Sequence, residues 1–269
     1  MRHLITLVFC LLTITSCSRS EAATKLVLTG SSTVAPLALE IAKRFESKHP
    51  GVRLDVQSGG SSRGITDARK GLADIGLVSR ALKADEKDLQ AFTIAMDGVC
   101  VILHQSNAVA TLTDAQVAAI YTGKVTNWKD VGGSDAPITV VNKAEGRSTL
   151  ELFATYFKLT TADIKAHVVI GDNEQGVKTV AGNENAIGYV SIGTAEFDAG
   201  KGTPIKLLLI GGKAASMANV RDGSFALSRP LNLVTNRVPE GLVREFIDFA
   251  QSDAVHDLVT EQCFVPLAR

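Results

Sequence analysis

Residues 25–57 read KLVLTGSSTVAPLALEIAKRFESKHPGVRLDVQ, and the hydrophobic pattern changes twice along them. Lys25 to Leu28 is a short apolar run of strand type. From about Thr33 the residues Val34, Leu37, Ile41 and Phe45 recur at helical spacing, and Arg53 to Gln57 reads as a second strand. A strand, a loop, a helix and another strand form the opening unit of an α/β chain. The loop itself, Gly30-Ser31-Ser32-Thr33, is made of residues that begin helices.

The alternation continues beyond this unit. Arg63 to Gly71 reads as a short helix, and Ile75 to Val78 and Gly98 to Leu103 as strands. Asp114 to Tyr121, Leu150 to Phe157 and Gly176 to Ala181 read as helices. Between and after them come strands at Ile138 to Val141, His167 to Ile170, Ile187 to Val190 and Ile205 to Ile210. Leu231 to Thr235 is a late strand, and Gly241 to Gln251 a final helix with Leu242, Phe246 and Phe249 inward. This order predicts a parallel sheet flanked by helices, with ligand at the carboxyl ends of the strands.

Two further clusters share the chemistry of the first loop: Gly59-Gly60-Ser61-Ser62-Arg63-Gly64 and Gly146-Arg147-Ser148-Thr149. The first-turn N–H groups of a helix lack internal acceptors and carry the positive end of its dipole, so they accept an anion. Glycine lets the backbone approach, and serine and threonine add hydroxyl donors. Any one cluster is an ordinary cap. If the fold gathers all three, they can wrap a small tetrahedral oxyanion. Arg63, Arg80, Lys143 and Arg147 lie in or beside these loops, where charge-assisted bonds hold phosphate-like groups, although each alone is an ordinary surface charge.

One cluster also permits an enzymatic reading. Gly60-Ser61-Ser62-Arg63-Gly64 matches the Gly-x-Ser-x-Gly nucleophile elbow, with His104, His167 and His256 downstream as conceivable bases. The pattern arises easily in a Gly/Ser-rich loop, and no HGGG-type oxyanion segment accompanies it, so no enzyme is expected. The five histidines and the cysteines show no zinc-site spacing, and neither metal nor cofactor is predicted.

Composition limits the partners. With 28 Lys+Arg against 28 Asp+Glu there is no global basic field, which argues against nucleic acid and leaves charge to act locally. Hydrophobic residues make up 45% of the chain, prolines number seven, and there is no low-complexity block, all against disorder. Met1-Arg2-His3 and the apolar run Leu4 to Leu12 have the form of a secretory signal, ending in Ile14-Thr15-Ser16-Cys17. Residues 1–16 are read as a leader of lipoprotein type with Cys17 the acylated residue; cleavage after Ala22 is the alternative. The protein is expected to be exported, either periplasmic or lipid-anchored to the envelope. Of the four cysteines, Cys100 and Cys263 fall in the folded part, where one disulfide or two buried thiols both fit.

The segments Thr29-Gly-Ser-Ser-Thr-Val-Ala-Pro36, Asp97-Gly-Val-Cys-Val-Ile102, Tyr121 to Gly133 with its Asn127-Trp128, Asn185-Ala-Ile-Gly-Tyr-Val-Ser191, Arg229-Pro-Leu231 and Phe264-Val-Pro-Leu267 resemble the phosphate-binding proteins of bacterial ABC transporters, the PstS-like family. The resemblance covers essentially everything after residue 25. It implies a periplasmic-binding-protein fold (type II): two α/β lobes, residues 25–103 plus 232–269 and residues 104–231, with ligand in the cleft. It also implies an ABC permease as partner and a monomeric receptor.

Carried across by motif, the resemblance gives the first helix start to Ser32, Thr33 and the backbone of Val34. The second goes to Ser61 and Ser62, and the third to Ser148 and Thr149. Arg80, Lys143 and Arg147 would be the cations. Two departures bear on the ligand. The third loop reads Lys143-Ala-Glu-Gly-Arg-Ser-Thr149, with an ammonium where the best-known members have a guanidinium. Ser79-Arg80 stands where those members place a carboxylate that accepts the proton of hydrogen phosphate. Sulfate, molybdate or arsenate is therefore the alternative ligand, and an anion-sensing surface protein the alternative role. Glu145 would either accept a ligand proton or fix Lys143. Trp128 reads as a packing anchor of the second lobe, with stacking on a ligand the alternative, and Tyr189 as a core or hinge-facing residue.

Overall fold

The structure, a computed structural model, describes residues 24–267. The leader and Cys17 lie outside the described residues. The order is β1 (Thr24–Gly30), α1 (Val34–Lys48), β2 (Val52–Ser58), α2 (Ser61–Arg69), β3 (Ile75–Val78), β4 (Gln90–His104), α3 (Asp114–Tyr121), β5 (Thr139–Lys143) and α4 (Ser148–Tyr156). It continues with β6 (Val168–Ile170), α5 (Asn173–Ala181), β7 (Ala186–Ser191), α6 (Ile192–Gly200), β8 (Ile205–Leu207), α7 (Met217–Arg221), β9 (Ser228–Thr235), α8 (Gly241–Ala250) and α9 (His256–Glu261).

Strands run in the order β2-β1-β3-β9-β4-β7-β5-β6, with β8 on β4. Pairs β1–β2, β1–β3, β5–β6 and β5–β7 are parallel, as the alternation predicts. The pairs made by β9 and β4 are antiparallel, so the sheet is mixed rather than wholly parallel. These two strands carry the chain between two hydrophobic cores. One core gathers Leu28, Leu37, Ile41, Phe45, Ile75 and Phe246; the other gathers Ile102, Tyr121, Trp128, Phe153, Val177 and Tyr189. The changeover lies inside β4 between Ala95 and Val99, and at the start of β9 between Leu227, just before the strand, and Leu231. Each lobe is thus an α/β layer with its own apolar centre, and burial of each large aliphatic side chain contributes about 1.5–3 kcal/mol.

Helix α2 lies directly on the sheet because three glycines make room. A Cβ on Gly64 would stand 2.7 Å from the Leu77 carbonyl oxygen and 2.8 Å from that of Thr29, and a Cβ on Gly76 would stand 2.5 Å from the Gly64 oxygen. Gly30, at φ 139°, meets Leu77 even more closely. The close approach fixes the start of α2 beside the ends of β1 and β3.

Cys100 and Cys263 are not bridged. The Cys100 thiol is buried in the second core and points at the Val190 carbonyl at 3.6 Å, while Cys263 lies half-buried in a left-handed turn after α9. Burial pushes the Cys100 thiol well above its usual range, so it is inert. Trp128 is an anchor of the second lobe: it is 1% exposed, and its Nε1–H donates to the Asn185 carbonyl at 3.0 Å. Tyr189 stacks on Phe153 at 3.8 Å.

Candidate functional site

The three helix starts meet. Ser31 caps α1 by accepting the N–H groups of Thr33 at 3.1 Å and Val34 at 3.3 Å, and donates its own proton to Ser79 at 2.8 Å. Ser61, at the start of α2, donates to Ser148, at the start of α4, at 3.0 Å. Ser79, just past β3, is 2.6 Å from Ser148. All four serines are buried. No side chain caps α2 or α4; backbone carbonyls take the Ser62 N–H of α2 and the Leu150 N–H of α4. Gly60 allows the contact, because a Cβ there would lie 2.8 Å from the Gly146 carbonyl oxygen, which instead accepts the Ser62 N–H at 3.2 Å.

A buried guanidinium stands at the centre. Arg229 donates from Nη1 to Thr149 Oγ1 at 3.0 Å and from Nη2 to Thr33 Oγ1 at 3.1 Å, joining the starts of α4 and α1. Its Nε and Nη2 also donate to Asp97 Oδ2 at 3.0 and 2.8 Å. Arg229 and Asp97 face each other in the β4–β9 ladder, on the strands that join the lobes, and both are 2% exposed. The two threonine oxygens already accept hydrogen bonds, which leaves their protons free to donate to a ligand.

Lys143, at the end of β5, is also buried and donates to Asn173 Oδ1 at 2.9 Å. Asn173 in turn donates to Thr33 Oγ1 at 3.0 Å across the cleft. Burial, opposed by Asp172 and reinforced by the nearby Arg229 and Arg147, brings the Lys143 ammonium down to about 7. Glu145 is exposed, and the partner of Lys143 is Asn173 rather than Glu145. Arg147 is half-buried and lies over Gly60, its guanidinium reaching toward Gly171.

Thr33, Ser61, Ser148, Thr149 and Lys143 are therefore brought together, and Ser62 lies beside them through its N–H. Three expected site residues stand differently. The Val34 N–H is taken up by Ser31. Ser32 is half-buried and lines a neighbouring cavity of about 340 Å³ with Leu39, Asp172 and Glu174. Arg80 does not join the cluster, because its guanidinium is held by Glu86 at 2.7 and 2.8 Å. The sequence reading missed Arg229, Asp97, Ser79 and Asn173 as site residues. The available signal was two charged residues, Asp97 and Arg229, beside the apolar strand runs Gly98 to Leu103 and Leu231 to Thr235, where a buried charge requires a partner. A larger cavity, about 610 Å³, lies at Gly71, Asp74, Arg237 and Glu240, remote from these hydroxyls.

The elbow reading finds no support in the contacts. Ser62, at the nucleophile position of the motif, bonds Gly146 through its N–H; His104 pairs with Ser106, His167 accepts from the Val140 N–H, and His256 pairs with Asp253.

A model of the PBP superfamily domain matches residues 17–254. Phosphate-binding protein PstS of Bacillus subtilis (strain 168) is 27% identical over 252 residues, 92% of this chain and 82% of the relative. PstS of Staphylococcus haemolyticus (strain JCSC1435) is 31% identical over 240 residues, 83% of this chain and 75% of the relative. Among solved structures, a Clostridium perfringens protein crystallised with bound phosphate superposes with a TM-score of 0.83 at 33% identity, covering 91% of this chain and 100% of its own. An ABC-type phosphate transport receptor from Vibrio cholerae gives 0.74 at 30% identity, covering 90% of this chain and 100% of its own. Two lobes joined by β4 and β9, helix starts converging between them, and these likenesses over nearly the whole chain together place the protein in the PBP superfamily, among the PstS-like substrate-binding proteins.

Proposed function

We propose that this chain is an extracytoplasmic receptor that captures inorganic phosphate and delivers it to the permease of an ABC importer. The observation that carries the reading is the meeting of Thr33, Ser61, Ser148 and Thr149 from three helix starts around the Arg229 guanidinium. Hydroxyls at helix starts and a buried cation form a donor-rich, water-poor cradle suited to a small tetrahedral oxyanion. The ligand-contacting set is Thr33, Ser61, Ser62, Ser79, Ser148, Thr149 and Arg229, with Lys143 and Arg147 adding positive potential. The two lobes, which part within β4 between Ala95 and Val99 and at β9 before Leu231, close on the anion about these strands.

The relatives are substrate-binding proteins, and the site holds no nucleophile–base pair among the described residues. The likeness to these relatives supports binding without turnover. No helix among the described residues is long and apolar enough to cross a membrane. The leader pattern of residues 1–16 supports export with Cys17 as the acyl anchor, and the likeness to the PstS-like receptors supports a monomer.

Calorimetry with phosphate, sulfate, arsenate and molybdate tests the reading, alongside assays for phosphatase and esterase activity. Stoichiometric phosphate binding with no turnover is expected. Failure to bind any of the four anions would refute it.

A further inference from the structure

We infer that Glu151 is the latch of the cleft: a lobe-two carboxylate that seats between Arg80 and Lys83 of lobe one and sets how long a captured anion stays bound. The inference rests on the receptor reading above. Glu151 lies in the first turn of α4, the helix whose N-terminus supplies Ser148 and Thr149. Its Oε2 is 3.0 Å from Arg80 Nε and 3.0 Å from Lys83 Nζ.

The lobe-one half of this contact is built in advance. Arg80 gives Nη1 and Nη2 to Glu86, and Nη1 also donates to the Ala81 carbonyl at 3.0 Å. The Arg80 carbonyl accepts from Asn232 on β9 at 2.7 Å, and Glu86 accepts the Lys83 N–H at 2.8 Å. Every one of these partners belongs to lobe one, so the arrangement survives when the lobes separate. What remains facing lobe two is the Nε edge of Arg80 and the Lys83 ammonium. Asp85, the other acid near Arg80, is exposed.

Glu151 completes the pair only when α4 reaches lobe one. The Arg80 and Glu151 side chains are 11% and 29% exposed, so their attraction is only partly screened by water. Arg80 Nε and Glu151 Oε2 are buried without an aligned hydrogen bond, so charge rather than a directed bond holds them. A carboxylate has no attraction for the anion itself. Glu151 is therefore a positioning residue, acting through Arg80 and Lys83 on the helix that carries two ligand hydroxyls. Opening the cleft draws α4 back and breaks this ion pair together with the hydroxyl contacts.

Stopped-flow kinetics with inorganic phosphate test the latch. Glu151→Gln, nearly isosteric, is expected to speed phosphate release about tenfold with little change in the association rate, because partners of a buried pair act mainly on dissociation. Lys83→Met alone should speed release, but add nothing in the Glu151→Gln background. Salt should accelerate release from wild type and not from Glu151→Gln. Amide exchange reports the same event, since the Ser62 N–H bonds to Gly146 across the cleft. Residues 60–64 and 146–151 should exchange faster in Glu151→Gln at unchanged melting temperature. Unchanged release and exchange, equal losses in both rate constants, or additive effects of Lys83 and Glu151 would overturn the latch. Wild-type protein that takes up no phosphate would overturn the receptor reading instead. Exchange in the phosphate-free proteins would then decide the latch: faster in Glu151→Gln supports it, and identical profiles sink it.

Discussion

Replacing Arg229 by methionine removes four donated hydrogen bonds at once: two to Asp97 and one each to Thr33 and Thr149. Two separate costs follow. Asp97 is left buried with Ser191 Oγ and the Gly193 N–H on Oδ1 and nothing on Oδ2. Breaking a buried pair in this way costs about 3–5 kcal/mol, which in a chain of this size lowers the melting temperature by roughly 6–20 °C. The second cost falls on binding. A charge-assisted bond from the guanidinium to the anion contributes about 1.5–3 kcal/mol, so phosphate affinity should fall roughly 10- to 150-fold. The double variant Asp97→Asn/Arg229→Met separates the two, because it removes the stranded charge without restoring a cation. Thermal melts should recover much of the lost stability in the double variant, while calorimetry at fixed ionic strength should show no recovery of affinity. If Arg229→Met melts like wild type, the buried pair has been misjudged. If it melts low yet binds phosphate normally, the guanidinium is a strut between β4 and β9 and not part of the cradle.

Lys143 gives a pH dependence of definite sign. Its folded value of about 7 lies below the ordinary 10.5, so between these limits the unfolded chain holds a proton the folded chain lacks. Stability from this residue therefore rises with pH across that window and is lost as pH falls through about 7, and Lys143→Met should flatten the melting profile there. Phosphate beside it raises its affinity for the proton. Binding near pH 8 should thus be accompanied by proton uptake, seen as a buffer-dependent calorimetric enthalpy, and the share due to Lys143 should vanish in Lys143→Met. Gly64→Ala forces a methyl group to within 2.7 Å of the Leu77 oxygen. It should cost about 1–3 kcal/mol in thermal melts and weaken phosphate binding by displacing Ser61. In competition titrations sulfate should displace phosphate more readily here than from relatives with an acidic residue in the cradle; strict exclusion of sulfate would contradict the charge assignment.

The order of strands and helices was legible because apolar periodicity is local, and the helix starts were legible because glycine and hydroxyl side chains there have few alternative uses. What stayed hidden was non-local. Gln90–Asp97 and Ser228–Pro230 mix polar residues into β4 and β9, so the strands joining the lobes were read only from their apolar ends, and Arg229 went unassigned. The antiparallel pairing of β4 with β9 follows from the chain's return to lobe one, which no short window records. Arg80 was misplaced for a related reason. Its position in the loop after β3 was readable, but the direction of its guanidinium depends on Glu86, a buried acid in the following turn. The α6, α7 and α9 helices were missed because the first is Gly- and Thr-containing and the other two are of five and six residues, too short to show a period.

The distribution of charge explains how the cradle can hold an anion without a carboxylate to receive its proton. Asp97 spends both oxygens on partners, Oδ1 on Ser191 and Gly193 and Oδ2 twice on Arg229, so it has no acceptor left for a ligand. Its negative charge largely cancels that of Arg229, so the central guanidinium acts less as a net cation than as a rigid two-pronged donor fixed to the strands joining the lobes. The remaining contacts are hydroxyls, and a hydroxyl can donate or accept according to what it meets. Ser79, standing between Ser31 and Ser148, can accept a proton from hydrogen phosphate or turn its own toward a fully ionised oxygen. Such a cradle recognises size, tetrahedral shape and charge through closure, since Ser148 and Thr149 arrive with α4 while Thr33, Ser61 and Ser79 wait on lobe one. Affinity is then governed by how firmly the lobes hold together, which is why a carboxylate outside the cradle, on the same helix as two of its hydroxyls, can set the lifetime of a bound anion it never touches.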